Sequence, residues 1–129
     1  HCDNAIKVAE YLLAHEKVES VQFAGLPSSP HYDLAQKYCD GKPASLMTFE
    51  IKGGFDEAVR FYDALGLFKR LVNIGDAKSL ACHPASTTHR QLTEAEQAAA
   101  GVTPGMIRLC IGIEHIDDIV ADLDQALSA

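Results

Sequence analysis

The chain has 129 residues, of which 47% are hydrophobic, so it is long enough to form one domain with a buried core. Its 18 acidic and 11 basic residues give a net charge of −7, and no Lys/Arg-rich run is present, so we expect no nucleic-acid partner. The sequence has neither an apolar stretch of membrane-spanning length nor a signal-peptide pattern, so we expect no membrane partner and a cytoplasmic location.

The first half of the chain alternates helical and extended patterns. Residues 2–15 place one apolar stripe at helical spacing, and VQFAG reads as a short strand. Ser29 before Pro30 predicts a helix start, with the helix running to about Cys39. ASLMTFEIKGG alternates as a strand that places Met47, Phe49 and Ile51 on one face. The apolar stripe of the helix predicted over residues 2–15 consists of Ala5, Val8, Ala9, Leu12 and Leu13.

The second half continues the alternation. FDEAVRFYDALGLF has helical period, and KRLVNIG and KSLACHP predict two short strands around a Gly75-Asp76 turn. Thr93 and Glu96 form a capping-box pattern for a helix that ends at Gly101. MIRLCIGIE predicts the strongest strand and HIDDIVADLDQAL a closing helix. The expected apolar faces are Phe55, Ala58, Val59 and Tyr62; Ile107, Leu109, Ile111 and Ile113; and Ile116, Ile119, Val120, Leu123 and Leu127.

This order of elements, with no linker or repeat, predicts a single α/β domain over residues 1–129. We expect a two-layer arrangement in which helices cover one face of a four- or five-stranded sheet. The four cysteines are widely spaced and Cys82 and Cys110 lie in apolar runs, so we expect reduced, structural thiols. The first helix begins at residue 2 with nothing before it to pack under, which suggests a piece of a longer protein.

Arg108 is the first candidate binding residue. It lies in the middle of an apolar strand, on the face opposite Ile107 and Leu109, and an unpaired buried guanidinium is costly. One interpretation is an internal ion pair with an Asp or Glu. The other is a planar fork kept for a ligand carboxylate, which Arg binds through two parallel hydrogen bonds. The strand pattern favours neither.

The stretch LACHPASTTHRQL concentrates a cysteine, two histidines and three hydroxyls. A zinc site is disfavoured because it needs three or four ligands, and Cys82 and His83 alternate to opposite faces if the segment is extended. A Cys/His nucleophile pair is also disfavoured, because nothing marks Cys82 as activated. Loop hydrogen bonding remains the plain interpretation of the hydroxyls.

The tail VNIGDAKSLACHPASTTHRQLTEAEQAAAGVTPGMIRLCIGIEHIDDIVADLDQAL resembles the end of the Cys/Met-metabolism family of pyridoxal-phosphate enzymes. NIGDAKSL, GLPSSPHYDLAQKY and MTFEIKGG look most like the O-acetylhomoserine sulfhydrylase branch. The resemblance covers essentially the whole chain but only the last third of such an enzyme. It implies the small C-terminal domain of a fold-type I enzyme, with a largely antiparallel sheet, whose upstream domain holds pyridoxal phosphate.

The resemblance also implies roles for three residues at the substrate end of the site. Arg108 matches the arginine that binds the substrate α-carboxylate, and Thr88 matches the threonine that helps to hold it. Asn73 stands where relatives have a serine facing the same carboxylate. None of the seven lysines has the sequence context of the family's cofactor lysine. The resemblance therefore implies no catalytic residue, cofactor or activity for this chain alone, and no metal.

For the complete enzyme, the resemblance implies γ-replacement, in which sulfide displaces acetate from O-acetylhomoserine to give homocysteine, by a homotetramer. Cystathionine γ-synthase and the γ-lyases are related alternatives. A different class of hypothesis is a free-standing regulatory module that binds an amino acid through Arg108. A third is a scaffold without a ligand, in which Arg108 is paired internally.

Overall fold

The computed structural model describes residues 1–129, which form one mixed α/β fold. It contains five helices, five strands and one 3-10 turn. In chain order these are α1 (Cys2–Ala14), β1 (Val18–Gln22), α2 (Tyr32–Cys39), β2 (Leu46–Ile51), α3 (Phe55–Ala64), β3 (Lys69–Arg70), β4 (Leu80–Cys82), the 3-10 turn (Pro84–Ser86), α4 (Glu94–Ala99), β5 (Met106–Cys110) and α5 (Ile116–Ser128). No helix has the length and apolar character that crossing a bilayer requires.

The five strands form one sheet in the order β1-β2-β5-β4-β3. Every pair is antiparallel except β3 and β4, which run parallel. The expected two-layer fold is confirmed, but the prediction of two strands joined by a Gly75-Asp76 turn is wrong in its geometry. A tight turn joins only antiparallel neighbours, and here the chain leaves the sheet after Arg70 and residues 71–75 are exposed.

One face of the sheet packs against α1, α3 and α5 to form the core. Phe49 lies opposite Ile107, and Met47 lies opposite Leu109, across the β2–β5 pair. All four side chains are buried, together with Ile51. Because side chains alternate along a strand, this confirms the face predicted from the sequence. Each such side chain contributes about 1.5–3 kcal/mol through removal of its apolar surface from water.

The other face of the sheet carries the polar side chains of the same strands. Thr48 of β2 lies opposite Arg108, and Arg108 in turn lies opposite Cys82 of β4. Cross-strand partners share a face, so these three side chains form one row across the middle of the sheet. We call this surface the open face, because helices α1, α3 and α5 lie on the opposite side.

Three residues expected in the core are exposed instead. Ile113 is 62% exposed because β5 ends at Cys110 and the chain turns at Gly112, so the alternation does not continue. Leu13 is 51% exposed because it lies at the edge of the α1 stripe, whose other four members are buried. Phe55 is 44% exposed because it begins α3, where the helix has not yet reached the core.

Helix α2 begins later than predicted. Its first residue is Tyr32 and its N-cap is His31, whereas Ser29 lies outside the helix. The Ser29 hydroxyl accepts a hydrogen bond from the His31 N–H at 3.2 Å, so it organises the preceding turn. The capping box of α4 is confirmed, since Thr93 and Glu96 satisfy each other's backbone N–H groups.

Candidate functional site

Arg108 is half-buried at the centre of the open face and takes part in none of the four salt bridges of the chain. Its guanidinium donates one long hydrogen bond, 3.5 Å from Nη2 to the backbone oxygen of Asn73. The internal ion pair considered from the sequence is therefore not formed. Most of the five N–H donors of the side chain remain available for an anion.

Asn73 lies in the exposed segment 71–75 and is the residue that Arg108 reaches. Its side-chain oxygen accepts a hydrogen bond from the Ile74 N–H at 2.8 Å, which fixes the local turn. The flanking side chains are apolar yet exposed: Leu71 is 53% exposed, Val72 48% and Ile74 62%. Several exposed apolar side chains on one segment are typical of a surface that a ligand or another part of a protein covers.

Thr88 is not brought to Arg108 by a hydrogen bond. Its hydroxyl pairs with His89 Nδ1 at 2.8 Å and is exposed. The neighbouring Thr87 donates from its hydroxyl to the backbone oxygen of His83 at 2.7 Å. The structure therefore brings Arg108 and Asn73 together, and the support of Arg108 by Thr88 stays a prediction.

The buried structural role of His83 is what sequence reasoning missed, since His83 was weighed only as a metal ligand or a base. It is completely buried, and its Nε2 donates to the backbone oxygen of Pro104 at 2.8 Å because a carbonyl can only accept. Its Nδ1 pairs with the Ser86 hydroxyl at 2.7 Å. The signal was the apolar run before it and Pro84 after it, which together indicate a strand that ends inside the protein.

The aromatic environment of His83 comes from α3. The rings of Phe55 and Tyr62 have centroids 5.1 and 6.5 Å from the imidazole. Burial raises the pKa of the Tyr62 phenol, nearby Cys82 raises it further, and Arg70 opposes the shift. Tyr62 is therefore neutral at neutral pH and does not supply a base.

Two clefts lie on the surface, and neither includes Arg108. The larger one, of about 530 Å³, lies on the open face beside the Thr48–Arg108 row. Its carboxylates are Glu19 and Glu50, and Glu50 accepts a hydrogen bond from the Thr103 hydroxyl. No group of three His, Cys, Asp or Glu side chains has the arrangement of a metal site.

Comparison with protein families decides which group this fold represents. The model of the Cys/Met metabolism PLP-dependent enzymes matches residues 1–128. The chain belongs to this family. Sequence relatives agree: it is 56% identical to an O-acetyl-L-homoserine sulfhydrylase of Leptospira meyeri, over 98% of the chain and 29% of that protein. It is 57% identical to the Corynebacterium glutamicum protein of the same name, over 100% of the chain and 30% of that protein.

Other members of the family are also similar. An L-methionine gamma-lyase of Pseudomonas putida is 46% identical over 100% of the chain and 32% of its own length. A Campylobacter jejuni structure described as an O-acetylhomoserine (thiol)-lyase, with an N'-pyridoxyl-lysine-5'-monophosphate, superposes with a TM-score of 0.92 at 43% identity. The match covers 31% of the chain in that structure and 100% of the present chain. The chain thus spans about a third of the length of these relatives.

The residues of this Cys/Met-metabolism chain do not fit the cofactor on their own. Pyridoxal phosphate needs a lysine in an enclosed site and donors for its phosphate. All seven lysines are exposed, and none lines either cleft. The larger cleft carries Glu19 and Glu50, whose charge repels a phosphate.

Proposed function

We propose that this chain is the C-terminal domain of a longer, cytoplasmic O-acetylhomoserine sulfhydrylase, and that it binds the α-carboxylate of the substrate. Arg108 supplies the guanidinium, and Asn73 supplies polar groups beside it. The identities of 56% and 57% to two O-acetyl-L-homoserine sulfhydrylases support the choice of substrate. Thr88 remains the proposed second support of the arginine, acting when the site is complete.

The observation that carries this proposal is the unpaired state of Arg108. Its guanidinium lies on a rigid strand, half-buried, with a single contact of 3.5 Å to Asn73 and no carboxylate partner. A cation kept in this way by the fold is suited to a ligand that brings its own carboxylate, because the bidentate pair gives both charge and orientation. An amino-acid substrate meets that requirement.

The rest of the reaction belongs to the remainder of the protein in this proposal. Bound pyridoxal phosphate there supplies the electron sink for displacement of acetate by sulfide. The contribution of the present residues is positional: they fix one end of the substrate, and fixed geometry lowers the barrier of the chemical steps. The exposed apolar residues around Asn73 fit a surface that the remainder covers, and we propose that the complete enzyme is a homotetramer.

The experiment is Arg108→Ala in the complete protein, with O-acetylhomoserine and sulfide as substrates. Loss of a charge-assisted pair costs about 2 kcal/mol of binding, so the apparent KM for the amino acid should rise about 30-fold. The KM of Arg108→Lys should fall between those of the unmodified enzyme and Arg108→Ala, because lysine keeps the charge and loses the planar fork.

Arg60→Ala is the matched control, since Arg60 is an exposed arginine that pairs with Glu57 on α3. Its KM should stay at the value of the unmodified enzyme. A KM for O-acetylhomoserine that Arg108→Ala leaves unchanged would refute the role of the arginine.

A second candidate function is γ-elimination, which the 46% identity to an L-methionine gamma-lyase supports. The carboxylate fork serves both reactions, so Arg108 does not distinguish them. The product does: homocysteine formed from O-acetylhomoserine and sulfide supports the sulfhydrylase, whereas methanethiol released from methionine supports the lyase. A third candidate, the free-standing amino-acid-binding module, requires tight binding of an amino acid to residues 1–129 alone.

A further inference from the structure

Glu114, in the turn between β5 and α5, holds Ser79 with both oxygens of its carboxylate. Oε1 accepts the Ser79 backbone N–H at 2.7 Å, and Oε2 accepts the Ser79 hydroxyl at 2.8 Å. The Ser79 oxygen in turn accepts the N–H of Gly112 at 2.9 Å, and Ser79 is completely buried. Glu114 takes part in no salt bridge, so its carboxylate serves this one connection.

The end of segment 71–79 packs closely against the turn that follows β5. The Ile113 N–H donates to the backbone oxygen of Ala77 at 2.9 Å. Gly112 is needed here, because a Cβ at that position would collide with the same Ala77 oxygen. The segment is therefore anchored at its second end by backbone contact and by a carboxylate.

The first part of the segment is held much less. Residues 71–75 are exposed, and Asn73 reaches Arg108 only through the long 3.5 Å hydrogen bond. The position of Asn73 beside the guanidinium therefore depends on the anchor at Ser79. The segment begins after β3, which pairs with β4, and ends at the turn into which β5 leads, so β5 carries Arg108 and also leads into the anchor of Ser79.

From this arrangement we infer that Glu114 is a positioning residue for the carboxylate site: through Ser79 it fixes the segment that holds Asn73 beside Arg108. The inference rests on the proposed function of Arg108 and Asn73. Loss of the Glu114–Ser79 connection frees the segment and weakens binding of the amino-acid substrate. Arg108 stays on its strand in these variants and still orients the bound substrate, so turnover at saturation is retained.

The test compares Glu114→Gln, Ser79→Ala and the double variant in the complete enzyme, with KM and kcat measured for O-acetylhomoserine. A glutamine amide keeps one acceptor and loses the second. Each single variant should raise KM about tenfold, as expected for a small displacement of a binding group. The kcat should stay within about twofold, and the double variant should raise KM by less than the product of the two single effects, since both changes break the hydrogen bond between the Ser79 hydroxyl and Glu114.

Asp118→Asn is the control, because Asp118 is an exposed carboxylate in the first turn of α5. The inference is overturned if the single variants match this control in KM, if kcat falls instead, or if the double variant is additive. Ser79→Ala decides the matter should Glu114→Gln not fold. Arg108→Ala, measured alongside, separates the positioning role from the proposed function. If Arg108→Ala raises KM and the Glu114 and Ser79 variants do not, only the positioning role of Glu114 is refuted. If Arg108→Ala leaves KM unchanged, the proposed function itself is refuted.

Discussion

The imidazole of His83 joins the end of β4 to the residue that precedes β5 by two positions, through a 2.8 Å hydrogen bond from Nε2 to the Pro104 carbonyl. The other ring nitrogen pairs with the hydroxyl of Ser86 in the 3-10 turn. One buried side chain thus connects the 3-10 turn after β4 to the residues just before β5, the strand that carries Arg108. Since the ring is completely buried, its hydrogen bonds have no water to replace them.

We expect His83→Ala to lower the free energy of unfolding by about 3 kcal/mol, because it removes two hydrogen bonds and leaves a cavity beside Phe55 and Tyr62. Urea unfolding of the chain measures the loss. His31→Ala is the control, since His31 is exposed and its side chain makes no cap bond, so its change should stay within about 0.5 kcal/mol. Equal stability of the two variants would contradict the bridging role of His83.

Asp122 of α5 binds the loop that follows α3. Its two carboxylate oxygens accept the backbone N–H groups of Gly66, Leu67 and Phe68 at 2.9, 2.9 and 3.1 Å. Asp122→Ala should cost about 2 kcal/mol, because three donors lose a charged acceptor. Thermal or urea unfolding measures it, with Asp118→Ala as the control, because Asp118 is exposed and its removal loses only the interaction with the N-terminus of α5, about 0.3–1 kcal/mol. A loss no greater than that of Asp118→Ala would show that water replaces Asp122 fully.

The capping box of α4 predicts a pH effect. The backbone and side-chain hydrogen bonds from Thr93 hold the pKa of Glu96 below its usual value, with burial opposing slightly. A carboxyl whose folded pKa is lowered stabilises the fold above its unfolded pKa, and that contribution is lost as pH falls through the folded pKa. We expect an NMR titration of Glu96 to give a lowered pKa, and Thr93→Ala to return the pKa part of the way towards the ordinary value, because the backbone N–H of residue 93 still donates to the carboxylate.

Thr93→Ala tests the hydroxyl hydrogen bond alone, because alanine keeps the backbone N–H of residue 93. If Glu96 titrated alike with and without the Thr93 hydroxyl, that hydrogen bond would not contribute to its lowered pKa.

The parts of the fold that were predictable follow from local periodicity. The alternation of Met47, Phe49 and Ile51 identified the buried face of β2, and the same period placed Arg108 on the opposite face of β5. The α4 capping box was readable because both partners lie within one turn. These features depend on residues that are close in sequence, so they can be predicted from one amino-acid sequence.

Features set by distant residues were not predictable from the pattern. Ile113 continues the alternation of β5, yet Gly112 and its contact with Ala77 end the strand before it. Segment 71–79, which joins the parallel strands β3 and β4, is held at its end by Glu114, a residue 35 positions from Ser79. The burial of His83 likewise depends on Pro104, which lies 21 positions away.

The brevity of β3 bears on how copies of the protein can associate. A long, exposed edge strand offers its unpaired N–H and C=O groups to a neighbouring molecule, and sheets that pair edge to edge in this way aggregate. Here the edge strand β3 consists of Lys69 and Arg70 alone. These two basic residues leave room for hardly more than one pair of backbone hydrogen bonds. The sheet therefore offers almost no backbone groups for extension past β3 into a second copy of the chain.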